Sequence, residues 1–233
     1  MAEEAAHPRA GWIKAVKSGR EALSIDVPGP GGEIIGFLEP VTAAHIADPE
    51  LPARMTRWRN AAQRFFLTRF PGSPERTRAW LESSVLSEPG RMLFLVRSPK
   101  KLVGQCGFIG LNRESAELDN LIRGEMGGHP RLMYYAEAAL LSWIFESLDL
   151  STISAGVLSE NPMAGDLHAS LGFRVCEVLP LSRSEEDGAC RLTPGRAGEP
   201  SADGLYYNVM MLTRERFTAL LEEIWPNGRK FSG

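Results

Sequence analysis

The stretch of sequence that decides the fold spans residues 117–148 and reads ELDNLIR (117–123), GEMGGHPR (124–131) and LMYYAEAALLSWIFESL (132–148). The first part alternates with period 2 and predicts a β-strand, with Glu117, Asp119, Leu121 and Arg123 on one face and Leu118, Asn120 and Ile122 on the other. The second part is rich in glycine and contains one proline, which predicts a loop. The third part has apolar residues at steps of three and four, which predicts a long helix.

Segments on both sides of this strand, loop and helix add further elements. We expect a hairpin from residues 92–96 and 102–111, strands at 152–158, 173–179 and 206–212, and helices at 161–171 and 214–224. Helical spacing also begins at residue 51 and again at residue 76, where Ser73 could cap a helix whose first residue is Pro74. We therefore predict an α/β (mixed α+β) fold, with a central, mixed and mostly antiparallel sheet covered by helices on both faces.

The chain divides into a short extension and one domain. Residues 1–32 are expected to form an N-terminal extension with a possible hairpin strand, since two apolar runs flank the Pro/Gly cluster at residues 28–32. Residues 33–233 are expected to form the domain. Residues 185–204 are polar, contain Gly and Pro and have no periodicity, so we expect a long mobile loop there.

Composition excludes several classes of protein. The 233 residues carry a net charge of −3, with 43% hydrophobic and 24% charged residues, as in globular domains. This near-neutral balance gives no reason to expect nucleic-acid binding, and no apolar run approaches the ~18 residues of a membrane span. Cys106, Cys176 and Cys190 are odd in number and lack metal-ligand spacing, and the first residues contain no apolar signal core. We therefore expect a cytoplasmic protein without a metal.

The loop before the long helix is a candidate anion site. A helix start presents unpaired N–H groups and a partial positive charge, and neighbouring glycines allow a phosphate to approach the main chain. Pro130 near the first helical position fits, because its missing N–H is not needed there. The alternative is a flexible connection without a ligand. The loop alone does not decide between the two.

A second stretch carries a family resemblance. Residues 161–173 read NPMAGDLHASLGF and are similar, at full spacing, to the Asn-x-x-Ala-x-x-Leu-Tyr-x-x-Leu-Gly-Phe motif of the GNAT superfamily of acyl-coenzyme A N-acyltransferases. The order of hairpin, strand, Gly-rich loop, long helix and strand resembles the same family, over about residues 33–212. WRN (58–60) and TRAWL (77–81) resemble the subgroup of ribosomal-protein N-terminal and amino-sugar acetyltransferases.

This resemblance implies a binding site for acetyl-coenzyme A (acetyl-CoA). It implies a sheet splayed at the cofactor, with the pantetheine arm along the strand end at Leu121, Ile122 and Arg123 and in contact with Asn161. By its distance to Asn161, the family's diphosphate motif falls on residues 128–133. The implied contacts are Gly128, His129, Arg131, Leu132, Met133 and Tyr134. Arg131 and Met133 stand where the family has small residues. A placement on residues 123–128 recovers one glycine but leaves too long a gap to Asn161.

Three residues are candidates for acid–base catalysis. His168 stands where the family has a tyrosine that is thought to protonate the departing thiolate, and a histidine can donate a proton near neutral pH. Glu117 lies near the strand position where some members carry a glutamate that deprotonates the amine, and Asp119 points the same way. The alternatives are a histidine with a structural role and carboxylates that are solvated or orient the substrate.

The resemblance implies an N-acetyltransferase that transfers an acetyl group from acetyl-CoA to a primary amine of a small molecule. An amino sugar or a nucleotide-linked amino sugar is favoured, and a homodimer is compatible with it. The alternatives are a non-catalytic CoA-binding regulatory module and an enzyme acting on a protein N-terminal amine.

Two weaker patterns concern the acceptor. The basic stretch Arg54, Arg57, Arg59 and Arg64 is usually a solvated face but would suit a phosphate-bearing or acidic substrate, and Tyr206, Tyr207 and Asn208 could wall the acceptor pocket.

Overall fold

The computed structural model describes residues 7–186 and 188–226. Its helices are α1 (Ala10–Lys17), α2 (Ala43–Ala47), α3 (Glu50–Ala61), α4 (Pro74–Trp80), α5 (Leu132–Ser147), α6 (Pro162–Ser170) and α7 (Arg214–Ile224). A 3₁₀ turn (Gln63–Phe65) follows α3, and a π-helical segment (Leu81–Leu86) continues α4. Residues 1–6 of the expected extension and residues 227–233 of the expected domain lie outside the described residues.

Ten strands form one open sheet. They are β1 (Ile25–Pro28), β2 (Ile34–Pro40), β3 (Thr68–Arg69), β4 (Met92–Arg97), β5 (Leu102–Ile109), β6 (Ser115–Arg123), β7 (Thr152–Leu158), β8 (Arg174–Glu186), β9 (Ala189–Pro194) and β10 (Tyr206–Thr213). Their order in the sheet is β1-β2-β4-β5-β6-β7-β10-β8-β9-β3. Only β6 and β7 pair in parallel within the described part of the chain, which confirms the predicted mixed and mostly antiparallel sheet.

Helices cover both faces of the sheet, as predicted. Alternate residues of β4 enter different hydrophobic clusters, because successive side chains of a strand point to opposite faces. Phe94 packs in the cluster that contains α5 and α7, whereas Leu95 packs with Met55 and Trp58 of α3. The longest helix, α5, buries most of its surface, so it forms the centre of the larger cluster. No helix in the described ranges is both long and apolar enough to cross a membrane.

Strand β6 departs from the predicted alternation. Its register with β5 slips between Gln105 and Gly107, which oppose Ile122 and Asp119, so β6 carries one extra residue there. Asn120 lies at this β-bulge with φ of 56°, a left-handed conformation that asparagine tolerates better than most residues. As a result, Leu118 and Leu121 pack on the α5 face and Ile122 packs on the α3 face. The prediction that Leu121 lies on the opposite face from Leu118, and that Leu118 and Ile122 share a face, was therefore wrong.

Two segments differ from the expected extension and loop. Within residues 1–32, helix α1 buries Ile13 and Val16 in the main core, and β1 pairs with β2 across the Pro/Gly cluster. Within residues 185–204, the end of β8 pairs with β9 from Leu181–Pro194 to Glu186–Ala189, where a loop was expected. The sequence did not predict this hairpin because most of its side chains are exposed. In β9 the buried residue is Leu192, so the strand has no apolar alternation. Residues 195–204 lie outside the described strands and helices.

Candidate active site

Strands β6 and β7 separate partway along their length. They pair only from Ser115–Thr152 to Leu118–Ala155, and beyond this point each strand continues without the other. A cavity of about 390 Å³ opens at the separation, here called the split cavity. It is lined by both strand ends, by Arg59 and residues 62 and 65–68, and by Ile109, Asn161, Ala164, His168 and Tyr207. This confirms the splayed sheet that the sequence resemblance implied.

The β6 bulge lies at the wall of the split cavity. Asn120 and Leu121 fall between the matched positions Asp119 and Ile122 of the β5–β6 ladder and have no opposite residue in it. A bulge leaves a peptide group free of the ladder, and such a group can bond an extended ligand as an added strand would. The predicted pantetheine contacts Leu121 and Ile122 line this cavity, whereas Arg123 does not.

Of the two predicted carboxylates, Glu117 is the one without an ion pair among the described residues. It is half-buried, lines the split cavity, and makes no ion pair within the described ranges. Burial, and secondly the charge of Asp119, raise the pKa of Glu117 above its ordinary value. A carboxylate with a raised pKa is a stronger base for an ammonium proton.

Asp119 is held by two neighbours. Arg91 Nη1 donates to its Oδ2 at 2.9 Å, and Asn120 Nδ2 donates to the same oxygen at 2.6 Å. Burial raises the pKa of Asp119, and the bonds from Asn120 and the charge of Arg91 only partly offset this rise. Because Asp119 is tied to Arg91, its geometry favours a supporting role beside Glu117.

His168 is buried and bonded to a residue that the sequence analysis missed. Its Nδ1–H donates to Oε1 of Glu137 at 2.6 Å, and both side chains are almost fully enclosed. Burial alone would lower the pKa of His168, but the charge of Glu137 and its hydrogen bond outweigh burial and raise it. The Nδ1 bond leaves Nε2 as the nitrogen for a ligand, since His168 lines the split cavity. Glu137 escaped notice because it interrupts an otherwise apolar helix face.

Tyr207 of β10 places its hydroxyl at the split cavity. The side chain lies over Gly156 of β7, so close that a Cβ at Gly156 would overlap the hydroxyl oxygen and the ring. Burial, then the charges of Glu117 and Asp119, raise the pKa of Tyr207 to about 12. The phenol therefore stays protonated at neutral pH and can donate a hydrogen bond into the split cavity.

Replacing Gly156 with alanine is expected to displace the Tyr207 ring. Overpacking of this kind costs about 1–3 kcal/mol of the free energy of unfolding, which chemical denaturation measures. Gly165→Ala is the matched control, because a Cβ there meets nothing within 4 Å and alanine favours the helix. If both variants unfold at the same denaturant concentration as the parent, the close packing of Tyr207 on Gly156 is wrong.

The Gly-rich loop before α5 is fixed by its own residues. Gly127 and Gly128 have φ of 123° and 71°, which other residues rarely adopt. Arg123 reaches back to the loop, where its Nη2 donates to the Gly127 carbonyl at 2.9 Å and its Nη1 donates to the Pro130 carbonyl at 3.2 Å. The Arg123 side chain therefore holds the Gly-rich loop in place through these two hydrogen bonds.

The N-terminus of α5 is open to an anion. It has no side-chain cap and no acidic residue in its first turn, and Arg131 stands at the N-cap position. The Leu132 N–H already donates to the His129 carbonyl at 2.9 Å, and the Arg131 N–H donates to His129 Nδ1 at 3.2 Å. Of the predicted contacts, the first-turn N–H groups of Met133 and Tyr134 are therefore the better anion donors. The side chains of Leu132 and Met133 are buried, so those two residues offer only their backbone.

Asn161 lies at the far wall of the split cavity and caps α6. Its Oδ1 accepts the Ala164 N–H at 3.3 Å, and Pro162 takes the first helical position. The amide nitrogen of the side chain remains available, so a cap and a ligand contact are compatible.

A second cavity adjoins the first on the α3 face. This arginine cavity has a volume of about 260 Å³ and is lined by Met55, Arg59, Phe66, Phe70, Gly72, Arg76, Thr77, Trp80, Gln105, Asp119 and Asn120. Arg59, Phe66, Asp119 and Asn120 line both cavities, so the two are adjacent. Throughout residues 7–186 and 188–226, no cluster of His, Cys, Asp and Glu has the size of a metal site.

Comparisons with known proteins agree with this geometry. The family model described as an acetyltransferase (GNAT) domain matches residues 37–174, and no curated protein sequence matches the chain. A spermidine N-acetyltransferase from Vibrio cholerae, solved with CoA and spermine, is similar with a TM-score of 0.59 and 17% identity, over 79% of this chain and 98% of that chain. The ribosomal-protein alpha-N-acetyltransferase RimL, in its apo form, has a TM-score of 0.60 and 13% identity, over 82% of this chain and 95% of that chain. At these identities the two structures show a shared fold.

Proposed function

Because the chain belongs to the GNAT family of acetyltransferases, we propose that it transfers the acetyl group of acetyl-CoA to the primary amine of a small molecule. One observation carries this proposal. The split between β6 and β7 opens a cavity that both Glu117 and His168 line, so a proton acceptor and a proton donor face the same space.

The residues around the split cavity suit acetyl-CoA. The bulge at Asn120 and Leu121 offers backbone groups to the amides of the pantetheine arm, and the open first turn of α5 offers N–H groups to the diphosphate. Arg131 adds a positive charge beside that turn, where its guanidinium stacks 4.1 Å from the Tyr134 ring. Bound acetyl-CoA supplies the acetyl group as an activated thioester.

Glu117 is proposed to accept the proton of the acceptor amine. Amines are mostly protonated at pH 7, and only the neutral amine has the lone pair that attacks a carbonyl carbon. The raised pKa of Glu117 brings it closer to that of the ammonium group. A backbone N–H of the β6 bulge is proposed to stabilise the negative charge on the carbonyl oxygen as the new C–N bond forms.

His168 is proposed to hold the proton that the leaving thiolate takes when the C–S bond breaks. Glu137 raises the pKa of the imidazole and fixes Nδ1–H, so Nε2–H is the proton that the charged ring would offer to the cavity. The products are then an N-acetylated amine and CoA thiol. One proton of the ammonium rests on Glu117, and the second, which the nitrogen loses as the amide forms, passes to water while His168 is left neutral. We propose an amino sugar or a nucleotide-linked amino sugar as the acceptor, a choice supported by subgroup resemblance and by the arginines near the cavity.

The experiment has two parts. Acetyl-CoA is expected to raise the thermal unfolding temperature, which tests binding, and thiol release in the presence of a panel of primary amines tests transfer. An enzyme shows both results, and a CoA-binding module shows only the first. Absence of both would overturn the proposed function.

The Glu137–His168 pair leads to a specific prediction about how kcat depends on pH. The value of kcat should fall below the raised pKa of Glu117, which must be ionised to act as the base. It should also fall above the raised pKa of His168, which must be protonated to act as the acid. Glu137→Gln keeps the hydrogen bond but removes the charge that raises the pKa of His168, so the alkaline limb should move to lower pH. Rates at saturating substrates, measured across pH, give this shift.

Glu146→Gln, on the exposed part of the same helix, is the control and should leave the limb in place. An NMR titration of the His168 ring in the parent and in Glu137→Gln gives the pKa directly. If that pKa falls but the alkaline limb stays, His168 is not the acid.

A further inference from the structure

The arginine cavity contains two cations and one carboxylate. Arg59 and Arg76 line it without an ion pair to any acidic residue in the described part of the chain. The carboxylate is Asp119, and it is already matched by Arg91 at 2.9 Å. The cavity therefore keeps an excess of positive charge that no acidic group among residues 7–186 and 188–226 compensates.

Arg59 is held in place with part of its hydrogen-bonding capacity unused. Its guanidinium lies 4.7 Å from the ring centre of Phe66 and 4.3 Å from that of Phe70, and Nη2 donates to the Thr68 carbonyl at 3.0 Å. The other terminal nitrogen, Nη1, is buried and has no hydrogen-bond partner among the residues described. A buried donor without a partner is costly, so Nη1 is a candidate to donate to an acceptor atom of a ligand.

Arg76 approaches the same ring from α4. Its guanidinium lies 4.3 Å from the centre of Phe70, the ring that Arg59 also contacts. Two like charges that share one aromatic ring repel each other. Burial, and secondly the charge of Arg76, lower the pKa of Arg59. An oxyanion in the cavity that both arginines line would offset this repulsion and could accept from the free Nη1 donor.

The cavity also contains a buried acceptor. Oε1 of Gln105 is enclosed and has no partner in the described ranges, while Nε2 of the same amide contacts Asn120 Oδ1 at 3.4 Å. A hydroxyl or N–H of a ligand would satisfy it. The walls between these polar groups are Met55, Phe66, Phe70 and Trp80, which suit the apolar face of a small molecule.

We propose that the arginine cavity binds an oxyanion group, a carboxylate or a phosphate, of the amine acceptor, with Arg59 and Arg76 as its counter-charges. The inference rests on the proposed function and names the substrate class. Since Arg59 and Asp119 line both cavities, an acceptor with its anion beside Arg59 is proposed to extend its amine toward Glu117 in the split cavity. A polyamine, which bears only positive charges, would be repelled by the same arginines.

Matched acceptors test the proposal. Thiol release is measured with glucosamine 6-phosphate against glucosamine, with β-alanine against its amide, and with spermidine. The anionic member of at least one pair is expected to have a kcat/KM about tenfold above its neutral partner, and spermidine should be the poorest acceptor. The pair that shows the difference identifies phosphate or carboxylate as the preferred oxyanion.

Variants locate the effect in the cavity. Arg59→Gln and Arg76→Gln should each remove about tenfold of kcat/KM for the anionic acceptor. Because Arg76 lines the arginine cavity and not the split cavity, Arg76→Gln should leave the neutral acceptor and the Kd of acetyl-CoA unchanged. Arg76 is exposed, so its variant keeps the fold even if Arg59→Gln does not. Arg64→Gln is the control, because Arg64 is exposed, stacks on Phe65 and lines neither cavity.

A binding measurement covers the case in which no acceptor in the panel reacts. Inorganic phosphate is titrated into protein saturated with CoA, which fills the diphosphate site, at constant ionic strength. The proposal expects saturable binding that Arg59→Gln or Arg76→Gln weakens about tenfold. Equal rates with anionic and neutral acceptors, or phosphate binding that neither variant changes, would overturn it. Failure of acetyl-CoA to bind would instead overturn the proposed function.

Discussion

Glu117→Gln is expected to lower kcat by about 10²–10⁴-fold, the usual contribution of a general base. Glutamine has nearly the same shape but cannot accept a proton from the acceptor amine. Because Glu117 makes no ion pair in the described part of the chain, its loss leaves no charge unpaired and the fold should persist. Initial rates of thiol release at saturating acetyl-CoA and amine measure the effect.

Three controls separate catalysis from binding. The Kd of acetyl-CoA should be unchanged in Glu117→Gln, since the cofactor contacts lie farther along β6 and at α5. Glu114→Gln, an exposed carboxylate just before β6, should retain full activity. Raising the pH should partly restore the rate of Glu117→Gln, because more of the amine is then neutral. Full turnover by Glu117→Gln at neutral pH would show that Glu117 is not the base, while the cofactor site would still stand.

Arg131→Glu is expected to raise the Kd of acetyl-CoA by about 100-fold, since a charge-assisted hydrogen bond contributes about 1.5–3 kcal/mol and tenfold corresponds to about 1.4 kcal/mol. The exposed Arg131 stands at the N-cap of α5, where the diphosphate is proposed to bind. A carboxylate there would repel the diphosphate. Calorimetric titration with acetyl-CoA measures the change.

The same substitution should not destabilise the protein. A negative charge at a helix N-terminus stabilises the helix by about 0.3–1 kcal/mol, which offsets the lost stacking of Arg131 on Tyr134. Acetyl-pantetheine lacks the diphosphate, so its Kd should not change. Arg113→Glu, in the turn at the opposite end of β6, is the charge-matched control. Equal weakening of acetyl-pantetheine and acetyl-CoA binding would contradict a diphosphate site at α5.

Much of the fold could be predicted because the segments that decide it have strong local signals. The 3.6-residue period of α5, the apolar run of β4 and the Leu171-Gly172-Phe173 turn each indicate one kind of element. The family assignment from residues 161–173 is confirmed by the match of the GNAT domain over residues 37–174. The capping of α4 by Ser73 is also confirmed, since its side chain accepts the Arg76 N–H.

The remaining parts of the fold depend on contacts that are distant in sequence. A β-bulge such as that at Asn120 arises when a neighbouring strand fixes the register, so alternation within residues 117–123 does not reveal it. The β8–β9 hairpin is exposed on most of its surface, and so it lacks the apolar alternation of a half-buried strand. Helix α1 has an apolar face, but only the packing of Ile13 and Val16 makes it part of the core.

The residues of the candidate site also fall into two groups: those that a local pattern marks, and those that only a contact distant in sequence reveals. Glu117, His168 and Asn161 could be named because a motif or a strand position marks them. Glu137 could not, because its partner His168 is 31 residues away and the residues around Glu137 in α5 are mostly apolar. The basic stretch of α3 and the following 3₁₀ turn shows the limit most clearly. Arg54 pairs with Glu125, and Arg57 and Arg64 are exposed. Only Arg59 of the four lines the arginine cavity.

The most direct test of the account is a crystal structure of the protein with bound CoA. We expect the pantetheine arm between the separated ends of β6 and β7, its thiol near Gly156 and His168, and the diphosphate against the N–H groups of Met133 and Tyr134. A structure in which β6 and β7 pair along their whole length, or in which CoA occupies another surface while the α5 N-terminus binds a protein group, would contradict it.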